Sequence, residues 1–176
     1  MPFTAVVSAP AAGAVEIQAT SLTFDVTRIA NGNEKQLIRN AAAVWNRSVT
    51  NVQLREATAG QRVNIRLQDD PGWPRATLGP VRPTGTVTIW MGRQAIDGPN
   101  GYDVTRIAAH EMGHSLGLPD MKPGPCSSLM SGSSAGTACT NPNPNTSEKS
   151  RVQSNYAGTL KNQEVSTGIV LEDAAF

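Results

Sequence analysis

His110 and His114 are the two histidines of the 176-residue chain, and Glu111 follows the first of them in "AAHEMGHSLGLPD" (108–120). Residues four apart on a helix stack on one face. Both imidazoles can therefore reach one ion, zinc in the first place, each with a nitrogen at about 2.0–2.1 Å. Glu111 falls one step round the helix, where it can meet a water beside that ion without being a ligand. That is the position a general base needs. A catalytic zinc takes three protein ligands, and with no third histidine the last must be a carboxylate or a cysteine. Gly117 permits a left-handed turn that bends the chain back, which brings Asp120 under the metal. The extended pattern is H-E-x-x-H-x-x-G-x-x-D. Its added Gly and Asp make a chance match about 300-fold rarer than the short motif alone.

Two other readings use the same residues. Histidines are ordinarily surface or core residues, but here two share a face at ligand spacing with a glutamate between them. A closed, structural site of His110, His114, Cys126 and Cys139 would also satisfy zinc. It leaves Glu111 and Asp120 without a role and requires reduced thiols.

The helix that carries the motif needs a start and a stop. "PNG" breaks the chain before it, Asp103 can cap it, residues 104–116 read as helix, and Gly117 ends it. Upstream, "VEIQATSLTFDVT" (15–27) alternates as a strand. Asn33 with Gln36 has capping-box spacing, and the helix behind it places Ile38, Ala41, Ala42 and Trp45 on one face. Residues 52–57, 63–69 and 86–92 read as further strands, the last apolar enough to be buried. "DDPGWPRATLGPVRPTG" (69–85) is turn-rich, a loop or a short edge strand. Asn145 with Glu148 forms a second capping-box pattern, opening a last helix through about Tyr156. The tail holds one weak strand, "STGIVL" (166–171), which suits either a sheet edge or disorder. Strands first and helices later predict an α+β fold with a mixed, twisted sheet, an active-site helix and a backing helix.

Cys126 and Cys139 lie in a Gly/Ser/Pro-rich stretch with almost no regular pattern. A disulfide, two zinc ligands and two free thiols compete. The spacing is far longer than C-x₂₋₄-C, whereas a bridge would staple a loose loop by about 3 kcal/mol. The disulfide is the favoured reading, and it implies an oxidising compartment.

Composition narrows the partners. A net charge of +1 with scattered basic residues argues against nucleic acid or an anionic membrane, and no apolar stretch is long enough to span a bilayer. The length suits one domain with a real core. Residues 1–13 read as a flexible arm without the basic and apolar regions of an intact signal peptide. Residues 14–158 are expected to form the catalytic domain, and residues 159–176 an extension without an assigned role. A monomer acting on protein or peptide substrates is expected.

With these motifs in view, the chain resembles the snapalysins, small secreted zinc endopeptidases of actinomycetes within the wider metzincin-like group. The resemblance runs from about Gln36 to Gly158, through "AAAVWNRSVTNVQLR", "YDVTRIAAHEMGHSLGLPD", "GPCSSLMSG" and "CTNPNPNTSEKSRV". It implies zinc on His110, His114 and Asp120, Glu111 as general base, and a Cys126–Cys139 bridge. It implies a Met-turn at 128–131 with Met130 as an apolar floor beneath the metal. It also implies a calcium ion near the start of the active-site helix, where Asp103 and Thr105 match. One position departs from the family pattern. Lys122 stands where the family has a tyrosine two positions after the aspartate ligand, so a cation can replace the phenol as oxyanion stabiliser, or Lys122 is a solvated surface lysine. The substrate is expected to lie extended against an edge strand within 75–81, by β-augmentation.

Overall fold

The computed structural model describes residues 18–97, 101–158 and 168–173. The N-terminal arm and the first residues of the expected strand at 15–27 lie outside them. Six strands form one mixed sheet: β1 (Thr20–Arg28), β2 (Val52–Glu56), β3 (Ile65–Asp70), β4 (Arg75–Thr77), β5 (Val87–Gly92) and β6 (Val170–Glu172). Their order is β2-β1-β3-β5-β4-β6. The pairs β1–β2, β1–β3 and β3–β5 are parallel, while β4 runs antiparallel to both β5 and β6.

Alternation along the strands decides which face is covered. Leu22, Phe24 and Val26 on β1, Val52 and Leu54 on β2, Ile65 and Leu67 on β3, and Val87, Ile89 and Met91 on β5 are all buried. The register sets Leu22 against Leu54, Phe24 against Ile65, and Ile65 against Val87, so these side chains share one face. That face and two helices, α1 (Gly32–Ser48) and α3 (Val104–Ser115), bury a common core. Trp45, fully buried on α1, donates its indole N–H to the Ala109 carbonyl of α3 at 2.9 Å. The backing helix is thus tied to the helix that bears the histidines.

Several expectations need correction. The N-cap of α1 is Asn31, whose side chain accepts from the Asn33 and Glu34 amides, and not Asn33. The physical reason is that Asn31 holds the extended backbone of a cap. A four-residue helix, α2 (Arg93–Ile96), follows β5 directly, and two short 3₁₀ turns occupy Leu129–Ala135. Of the region 75–81, Arg75–Thr77 alone is strand, and it is not the edge, because β6 covers its outer side. The tail therefore resolves as sheet over three residues. The capping box of Asn145 and Glu148 is present at the head of α4 (Thr146–Asn155). Cys126 and Cys139 are bridged. No helix among the described residues is long and apolar enough to cross a membrane.

The end of α3 is held by a close backbone approach. Gly79 N–H donates to the His114 carbonyl at 2.8 Å and Val81 N–H to the Ser115 carbonyl at 2.9 Å. A Cβ at position 79 would lie 1.9 Å from the Ser115 carbonyl oxygen and 2.5 Å from Val81 N. Gly79→Ala is expected to cost about 3 kcal/mol through this overpacking, read as a lowered Tm. A variant melting within a degree of the native chain would show that the loop moves freely instead.

Candidate metal centre and active site

Helix α3 places His110 and His114 on its inner face, 1% and 0% exposed. Each ring is aimed by its other nitrogen. His110 Nδ1 lies 3.0 Å from the Leu129 carbonyl, and His114 Nδ1 lies 2.7 Å from the Leu118 carbonyl. A carbonyl only accepts, so both Nδ1 atoms carry the proton and both Nε2 atoms present lone pairs. Gly117, at φ +95°, makes the turn after the helix that side chains with a Cβ resist. The turn returns Asp120 to the histidines. Asp120 Oδ1 stands 3.5 Å from both Nε2 atoms.

His110 Nε2, His114 Nε2 and Asp120 Oδ1 are buried without a hydrogen-bond partner among the described residues, as are both oxygens of Glu111. Lys122 Nζ comes within 3.4 Å of Asp120 Oδ1, an ion-pair distance that lacks hydrogen-bond geometry. Orphaned buried polar atoms are costly unless something fills the space between them. Tetrahedral zinc ligands at about 2.0–2.1 Å stand about 3.3–3.4 Å apart, and the observed separations fit. Two imidazoles and a carboxylate are a donor set of catalytic zinc. The two cysteines are consumed in the disulfide, which removes the closed His/Cys site.

Electrostatics follow the burial. Desolvation, and after it the neighbouring His114, pushes the His110 imidazolium down to about 4, so the ring is neutral and ligand-ready at neutral pH. Desolvation pushes the Glu111 carboxyl well above the ordinary range, with Asp173 and Asp120 acting in the same sense. For Asp120 burial opposes ionisation, but His114, His110 and Lys122 outweigh it and hold the carboxyl below its usual value.

Met130 is fully buried beneath the helix; a Cβ on Gly113 would meet its sulfur at 2.7 Å. Its turn hangs on Glu148, which accepts from Met130 N (2.9 Å), Leu129 N (3.2 Å), Ser128 Oγ (2.7 Å) and Asn145 N (2.6 Å). The sequence marks Glu148 as a cap. It does not reveal that the same carboxylate anchors the turn supplying the His110 acceptor. Arg106, buried on α3, adds bonds to the Ser128 and Asn141 carbonyls and to Ser131 Oγ.

Lys122 is not a solvated surface lysine. Its side chain is 6% exposed and pairs with Asp173. Asp173, which sequence reasoning did not single out, brings a carboxylate oxygen into one cluster with His110 and Glu111, all within 4.8 Å of one another. Asp103 acts as the N-cap of α3, accepting the Arg106 amide at 2.7 Å. Thr105 is partly exposed beside it. No group of three carboxylate, histidine or cysteine ligands forms around Asp103 among the described residues, and the calcium reading rests on the resemblance.

Residues 21–159 match the family described as Streptomyces extracellular neutral proteinase (M7). The extracellular small neutral protease of Streptomyces caespitosus is 44% identical over 123 residues, covering 70% of this chain and 88% of that protein. The protein of the same name from Streptomyces lividans is 41% identical over 120 residues, 68% of this chain and 50% of that one. Among solved structures, high choriolytic enzyme 1, a hatching-enzyme zinc protease from medaka, aligns with a TM-score of 0.44 and 18% identity over 60% of this chain and 47% of that one. The family match and the 44% relative, spanned over most of its length, show that the chain belongs to the Streptomyces extracellular neutral proteinase (M7) family.

Proposed function

We propose that this zinc metalloendopeptidase is secreted, acts as a monomer on extracellular proteins, holds its ion with His110, His114 and Asp120, and uses Glu111 as general base. The observation that carries the reading is the convergence of three buried, unmatched ligand atoms, with the Asp120 carboxylate oxygen 3.5 Å from each of two imidazole nitrogens, beside an unmatched buried glutamate. When bound there, zinc supplies Lewis acidity towards the scissile carbonyl and makes water a stronger acid. Glu111 accepts the proton of the attacking water and hands it to the departing amine. Its raised pKa makes it a stronger base for that transfer, closer to the working pH. The carbonyls of Leu129 and Leu118 keep both rings in the ligating tautomer. Lys122 Nζ, beside Asp120, offers the nearby positive charge for a developing oxyanion. With β6 displaced, Arg75–Thr77 would be the edge strand along which an extended peptide pairs.

The test is hydrolysis of casein by the pure protein alongside its zinc content. A chelator is expected to abolish cleavage and added zinc to restore it. Asp120→Ala is expected to weaken zinc binding by at least 10- to 100-fold, because it removes one of three ligands where even outer-shell losses have that effect. Native zinc content and cleavage in Asp120→Ala would remove that residue from the ligand set.

A further inference from the structure

The sheet edge beside the metal centre is covered by the chain's own tail. Ile169 to Asp173 run antiparallel along Pro74 to Leu78. Thr77 faces Val170, Ala76 faces Leu171 and Arg75 faces Glu172. Two flanking bonds extend the ladder, Leu78 N–H to the Ile169 carbonyl at 2.7 Å and Asp173 N–H to the Pro74 carbonyl at 2.8 Å. This is how a bound peptide adds to a sheet edge.

The attachment is not that of a core strand. Ile169 and Val170 are about half exposed, at 50% and 44%, and Leu171 is only partly buried. The one deeply buried side chain is Asp173, 4% exposed. Its carboxylate sits in a pocket of matched groups. Lys122 Nζ pairs with Oδ1, and Ser133 donates to the same oxygen from its amide at 3.1 Å and its hydroxyl at 3.2 Å. Gly132, at φ +52°, leaves the space that a Cβ would take, 2.3 Å from Oδ1. The carboxylate lies beside the catalytic groups, with His110, Glu111 and Asp173 placing their ligand atoms within 4.8 Å of one another.

We propose that residues 169–173 are an intramolecular occupant of the substrate cleft, a strap that lies on β4 where an extended substrate would and holds the Asp173 carboxylate against the catalytic groups, keeping the enzyme latent until the strap is displaced. The proposal rests on the peptidase reading above. Strap and substrate compete for the same backbone donors and acceptors of β4, and the cation of Lys122 is neutralised by Asp173 while the strap is down. Release therefore opens the edge strand and removes the Asp173 partner of Lys122 together. A short tethered strand acts at a millimolar effective concentration, enough to compete with most peptide substrates without a large interface.

The experiment uses the full chain at saturating zinc, native and as Asp173→Ala. It reads kcat/KM on a short peptide and hydrogen exchange at the Leu78 amide. Asp173→Ala is expected to raise kcat/KM at least about tenfold and to speed Leu78 exchange. The amidated hexapeptide GIVLED, added in trans, is expected to reverse both. Asp173→Asn keeps the side-chain shape and the Ser133 donors, so it holds the fold if alanine does not, and is expected to give a smaller gain in the same direction. A native chain that cleaves peptide, with Asp173→Ala and Asp173→Asn both folded and no faster, overturns the strap alone. Zinc-loaded protein that cleaves nothing in any form overturns the peptidase reading and the strap with it. Unchanged Leu78 exchange in a faster variant also overturns the proposal, because the strand would then not have left β4.

Discussion

Glu111→Gln keeps one zinc per chain and lowers kcat/KM on a peptide substrate by about 10²- to 10⁴-fold, the range that a positioned acid–base group contributes. The two side chains have nearly the same shape, so the fully buried slot on α3 is still filled. The proposed ligand set of His110, His114 and Asp120 converges without Glu111, so the ion should stay. What disappears is the proton acceptor, since an amide cannot take a proton from water at any working pH. Burial places the native carboxyl well above the usual range, which makes it a better base than an exposed glutamate. Zinc by mass spectrometry and cleavage rates from one preparation decide the matter. Full activity would end the general-base assignment. Loss of zinc would mean that Glu111 helps hold the ion, and the division between ligands and base would have to be redrawn.

Glu148→Ala carries the second large effect, on stability. The buried carboxylate receives four donors from three places: the turn backbone at Leu129 and Met130, Ser128 Oγ, and the Asn145 amide at the head of α4. Alanine leaves buried N–H groups unmet, each at about 1–3 kcal/mol when no water replaces the acceptor. A total of about 3–5 kcal/mol is expected, or a fall in Tm of roughly 10 °C for a domain of this size. The turn carries the Leu129 carbonyl that aims His110, so zinc should also be held less tightly. Glu148→Gln retains one acceptor oxygen and should lose about half as much stability. A melting point within 2 °C of native for Glu148→Ala would mean that the turn and the helix head are held elsewhere.

The parts of this molecule that could be read from its sequence are those set by local spacing. His110 and His114 lie one turn apart on a capped, apolar-faced helix, and helix periodicity alone brings them together. Gly117 followed by Asp120 was legible because a left-handed turn needs glycine, and three residues suffice to bring the chain back. The cap of α1 shows the limit. "NGNE" offers two asparagines, and both Asn31 with Glu34 and Asn33 with Gln36 have capping-box spacing. Local pattern cannot choose between them; the structure caps with Asn31, and the Glu34 carboxylate pairs at long range with Arg93. Strand β4 falls within the expected edge strand at 75–81, but its three-residue extent and its covered outer side were not legible, because three residues behind prolines show no alternation and β6 pairs with them from far along the chain. Asp173 escaped for a stronger reason: Lys122, Ser133 and Pro74 come to it from distant parts of the chain, and no period links them.

The same separation has a temporal consequence. Val170 pairs with Thr77 across roughly ninety positions, whereas β1, β2, β3, β5 and α3 are all complete by Ser115. Closing so long a loop adds an entropic barrier that only a few β-strand bonds reward. The parallel core and the histidine helix can therefore assemble while the tail is still emerging, and the outermost strand must dock afterwards. A newly made chain passes through a stage with β4 as an open sheet edge, and the order of synthesis, N-terminus first, sets how long that stage lasts.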